Sequence, residues 1–67
     1  MKDKIKLEEA WRLAMEREQI AKDFYAEMAE MVEDSALKNL FAFLITQEEH
    51  HKQLLEEEYD KLFAVDD

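Results

Sequence analysis

Four residues of the 67-residue sequence have types and spacings that could hold a cation and drive chemistry on it: Glu18, Tyr25, Glu48 and His51. Glu48 and His51 are spaced i, i+3, which on a helix brings both side chains over one face. Hard carboxylate oxygens can bridge two iron or manganese ions and offset their charge, while imidazole fills a terminal position; zinc suits such a set less well. An E-x-x-H pair alone recurs by chance on many helices. Its weight here comes from the positions: all three ligating residues fall where the surrounding pattern calls for aliphatic side chains. A buried carboxylate costs several kcal/mol unless it is paired or metal-bound, so the three need a shared cause.

The elements that must position them follow from periodicity. Leu7, Trp11, Ala14, Glu18, Ala21, Tyr25, Met28 and Val32 step by four and three, a sustained heptad seam. Carrying the stepping past Val32 would put Ser35 and Asn39 on the seam, whereas a fresh start at Leu37 gives Phe41, Leu44, Glu48, His51, Leu55, Glu58 and Leu62. The phase therefore breaks, and it breaks where Asp34 or Ser35 can accept a hydrogen bond from the free amides that open a helix. With neither glycine nor proline in the chain, the prediction is a single helical-hairpin domain over residues 1–67: a helix over about 4–33, a turn over about 33–35 and a helix over about 35–64. Glu18, Glu48 and His51 lie 16, 14 and 17 residues from Asp34, which at ~1.5 Å per residue places all three roughly 21 to 26 Å from the turn. They are expected to meet across the hairpin at its mid-height.

Composition narrows the partners. Eighteen acidic residues against nine basic ones give a net charge of -9, which repels nucleic acid and anionic membrane and attracts cations. The longest apolar run, residues 40–45, is far short of the roughly 20 residues that span a bilayer, and no apolar stretch follows Lys4 to make a signal peptide. A cytoplasmic location is expected. A chain of this length rarely stands alone without disulfides, a metal or a partner, and it has no cysteine. A second, thinner apolar stripe (Leu13, Ile20, Phe24 and Met31; Phe43, Leu54 and Val65) is more than one hairpin can cover. The expected partner is a second copy, as a homodimer or a higher even-numbered oligomer, in which two hairpins form an all-α four-helix bundle.

Other residues read more plainly. His50 sits off the seam and is expected in solvent; Tyr59 competes with Glu58 for the inward direction, leaving Glu58 exposed. Trp11, Met15, Met28 and Met31 read as core filler. Glu18/Lys22 and Glu57/Lys61 are spaced for i, i+4 ion pairs.

Glu18-Gln19-Ile20-Ala21-Lys22-Asp23-Phe24-Tyr25, the turn segment Asp34-Ser35-Ala36-Leu37-Lys38-Asn39-Leu40-Phe41, and Glu48-Glu49-His50-His51 together resemble the rubrerythrin branch of the ferritin-like superfamily over nearly the whole chain. The resemblance implies iron-ligand roles for Glu18, Glu48 and His51, with Tyr25 as a catalytic hydroxyl close by. Family members usually carry four helices in one chain; a single pair, completed by another subunit, is similar to encapsulated ferritins. Rubrerythrins proper add a cysteine-ligated iron module that delivers electrons, so peroxide reduction here would draw on an external electron donor.

The expected function is a di-iron protein holding two Fe ions per pair of chains, with Mn as the other candidate, and oxidising ferrous iron with oxygen or peroxide. Two other readings are a non-catalytic acidic oligomerisation module, in which Glu18 and His51 pair to set register, and iron storage or cargo in a larger shell.

Overall fold

The computed structural model describes residues 5–63. Two helices, α1 (Leu7–Met31) and α2 (Ser35–Phe63), pack against one another as a hairpin. The predicted ends at residues 4 and 64, and Val65 of the outer stripe, lie outside the described residues.

The turn is built by two polar side chains. Asp34 opens α2: the Leu37 amide donates to its Oδ1 at 2.8 Å and the Lys38 amide to its carbonyl at 3.0 Å, satisfying amides that have no partner within the helix. Of the two expected caps, Asp34 takes the role. At the other side of the turn, α1 ends with the Val32 amide on the Met28 carbonyl at 3.1 Å and has no basic residue in its last turn. Lys38 reaches back from α2 instead, its Nζ donating to the Ala29 carbonyl at 2.5 Å. The ammonium thus meets the negative end of the α1 dipole.

The seam lies between the helices. Trp11, Ala14, Glu18, Ala21, Tyr25 and Met28 on α1, Val32 just past its end, and Phe41, Leu44, Glu48 and Leu55 on α2 are half-buried. Near the open end the Trp11 indole N–H donates to the Leu55 carbonyl at 2.6 Å, and its ring packs against Tyr59 at a centroid distance of 4.4 Å. Tyr59 turns inward and Glu58 stays exposed.

Among the described residues no side chain is fully buried. The chain exposes 5801 Å², against about 4,500 Å² for a compact folded chain of its mass. Much of the exposed large apolar surface lies on the outer stripe: Leu13, Ile20, Phe24, Met31, Leu40, Phe43 and Leu54 are all exposed, Ile20 at 68 % and Met31 at 69 %, while Leu7, Leu37 and Leu62, expected on the seam, are exposed near the ends of the helices. Met31 therefore belongs to the outer stripe alone and fills no core. At about 100° per residue, the α1 stripe is offset from Glu18, and the α2 stripe from Glu48, in the same rotational sense. Antiparallel helices reverse that sense when viewed down one axis, so both stripes fall on the same broad side of the two-helix layer. The hairpin has one apolar side and one charged side.

Candidate metal centre

Glu18 comes from the middle of α1 and Glu48 and His51 from the middle of α2. The structure brings the three together: one ligand atom from each lies within 4.8 Å of the others. His51 Nδ1 is 3.3 Å from Glu18 Oε2 and 3.6 Å from Glu48 Oε2. The heptad stepping explains the meeting, since both glutamates sit on the line of helix contact and the i, i+3 spacing swings His51 toward the apolar side. Exposure follows the same order: the Glu48 side chain is 15 % exposed, Glu18 23 % and His51 47 %. The cluster is walled by the hairpin behind Glu48 and opens beside His51 onto the apolar face.

Two carboxylates this close cannot both hold full charge without cost. The Glu48 carboxyl is raised above the ordinary glutamate range, first by its hydrogen bond with Glu18, then by desolvation and by the charge of Glu18; the His51 imidazole acts in the opposite direction. A proton held there offsets the repulsion, and a divalent cation would offset it more fully, with oxygen and nitrogen donors of the right hardness already converging. The donor set fits iron or manganese.

A pH dependence follows from this shift. Because the folded chain holds the Glu48 proton more tightly than the unfolded chain does, its stabilising contribution is full below the ordinary glutamate pKa and is lost as pH rises through the raised value. Thermal melts of the metal-free protein should therefore show stability falling as pH climbs from about 4 toward neutrality. Glu48→Gln should flatten the fall, and a slope unchanged in that variant would assign it to general charge repulsion. Cation affinity should move the other way over the same window, since binding expels the proton.

Tyr25 is half-buried, its ring stacked on Phe41 at 6.2 Å and edge-on to Phe24 at 5.8 Å. Among the described residues its hydroxyl makes no hydrogen bond. His50 is exposed, apart from the cluster. Two of the expected ion pairs are corrected: Lys22 pairs with Glu49 on the other helix rather than with Glu18, and Lys61 sits 3.6 Å from Glu58 rather than on Glu57. The seam direction of Lys22 explains the first, because it points between the helices, where α2 offers a carboxylate.

Across 59 of the 67 residues, positions 1–59, the chain matches the family model for rubrerythrin. The chain belongs to the rubrerythrin family. Members of that family generally bind iron, and the matched residues contain Glu18, Glu48 and His51. No match was found among curated proteins or among solved structures. The described residues are helical on both sides of a tight turn; no helix among them is long and apolar enough to cross a membrane.

Sequence reasoning did not find the cross-helix contacts of Lys22 with Glu49 and of Lys52 with Gln19, at 2.8 Å. The signal was present in the positions: Gln19, Glu49 and Lys52 each directly follow a candidate ligand.

Proposed function

We propose that two copies of this chain pair through their apolar faces and bind two iron ions between them, oxidising ferrous iron with oxygen or peroxide in the cytoplasm. The observation that carries this reading is the convergence of Glu18, Glu48 and His51 from two helices within 4.8 Å, on the side where the hairpin exposes its apolar stripe. A second copy related by a two-fold axis would cover that stripe and bring its own three donors to the same level. The pair would then offer four carboxylates and two imidazoles, the donor set of a di-metal carboxylate centre.

When bound, two ferrous ions supply one electron each, and peroxide with two protons takes them up to leave two waters. This chain's residues do the rest. Glu18 and Glu48 offer oxygens whose binding mode can adjust as the cation charge rises, and His51 offers a terminal nitrogen. Because the neighbouring Glu18 raises the Glu48 carboxyl, cation entry would compete with protonation there. Tyr25, two turns from Glu18 on the same helix, would supply a hydroxyl near the site, and an external donor would return electrons.

Iron titration tests the proposal. Binding should saturate near two irons per pair of chains, and Glu48→Ala should slow ferrous oxidation by about 100-fold or more, since even residues that only support a ligand cost 10–100-fold. Saturation at another ratio, or an unchanged rate in Glu48→Ala, would count against it.

The 3.3 Å contact between His51 and Glu18 also supports a second reading, in which this pair sets helix register in a non-catalytic module. That module would be indifferent to chelators. A storage shell would differ from both by a particle mass far above a dimer.

A further inference from the structure

Each candidate ligand is followed in the sequence by a residue that engages the opposite helix. Gln19 follows Glu18, Glu49 follows Glu48 and Lys52 follows His51. Lys52 Nζ donates to Gln19 Oε1 at 2.8 Å, and Lys22 Nζ forms an ion pair with Glu49. The contacts make two rungs of an antiparallel ladder, 19 with 52 and 22 with 49, separated by three residues on each helix. One residue turns the helix by about 100°, so Gln19 and Glu49 point to the flank opposite the apolar face. The rungs therefore back the ligand cluster on the side away from its His51 opening.

Exposed ion pairs of this kind add little to stability, and the Lys22 and Glu49 side chains are 30 % and 42 % exposed. What the two rungs do fix is geometry. A rotation of either helix by about 20° moves a side-chain tip about 6 Å from the axis by roughly 2 Å, the length of a metal–oxygen bond. With ligands divided between two helices, such a rotation would separate them.

We infer that Lys22 and Lys52 are positioning residues for the metal centre: through Glu49 and Gln19 they lock the rotation and spacing of the two helices where Glu18, Glu48 and His51 converge. The inference rests on the metal-binding reading above. It also has a sign that separates it from simple electrostatics. Removing two ammonium groups makes the surroundings more negative, which by charge alone draws a divalent cation in more tightly. A positioning role demands the reverse.

The test is titration of the full chain with Co²⁺ alone, reading affinity by competition with a chromophoric chelator and ligand geometry by the visible absorption of the bound ion. The Lys22→Met/Lys52→Met variant should bind about 10- to 100-fold more weakly than the natural chain, with an altered visible spectrum. The exchange Lys22→Glu/Glu49→Lys, which preserves both net charge and rung, should restore the natural spectrum and bring affinity to within a few-fold. Circular dichroism checks that the helices persist; if the methionine variant loses them, Lys22→Gln/Lys52→Gln is read against the same thresholds. Variants that bind Co²⁺ as tightly as the natural chain, or more tightly, overturn the positioning role, as does an exchange variant as weak as the methionine one. Failure of the natural chain to bind Co²⁺ overturns the metal-binding reading itself.

Discussion

Ferrous iron added anaerobically to the metal-free protein is expected to raise its melting temperature by roughly 15 °C or more and to shift its solution mass from 8.1 kDa toward twice that value, with a chelator reversing both. The size of the effect comes from linkage. A ligand bound only by the folded state stabilises it by about 4 kcal/mol at a thousandfold excess over its dissociation constant, and in a domain this small each kcal/mol moves the melting point by about 4 to 8 °C. The effect should be large here because the lone hairpin has little else to hold it: among the described residues nothing is fully buried, and two carboxylates crowd each other. Melting curves and sedimentation with and without iron decide the matter. A melting point and mass that ignore both iron and chelator would favour the register-setting module.

Ile20→Asp combined with Phe43→Asp should leave the protein monomeric even with iron present. Ile20 and Phe43 are 68 % and 56 % exposed and lie on the apolar side of the layer. In the lone hairpin they face water, where substitutions usually change stability by no more than about 0.5 kcal/mol. In the proposed pair each aspartate would be buried without a partner at a cost of several kcal/mol, and two-fold symmetry doubles the number. A micromolar dimer holds together by only about 8 kcal/mol, so the assembly should not survive. Gln53→Asp, exposed on the charged side, is the control and should keep the pair intact. A dimeric mass for the double variant would place the interface on another face.

The two helices and their packing were legible from sequence because the heptad phase is consistent on either side of one break, and because Asp34 stands at that break as a cap. Glu18, Glu48 and His51 were legible for the same reason: polar residues on an apolar seam are visible only against a regular background, and counting from the turn gave their common height. What the sequence concealed lies off the seam. Whether Lys22 bonds along its own helix or across to α2 depends on helix separation and on the reach of a flexible side chain, which periodicity does not carry. The same holds for Lys38, whose bond to the Ala29 carbonyl depends on how tightly the turn folds back.

The lack of any fully buried side chain among the described residues of the lone hairpin bears on how long a copy lasts. A chain whose every described side chain touches solvent opens easily, and proteases cut at a rate set by the open fraction. Under the proposed pairing, a newly made copy that meets neither a mate nor a cation would be degraded fastest, so the amount of protein would track the supply of metal through turnover alone, without a dedicated sensor.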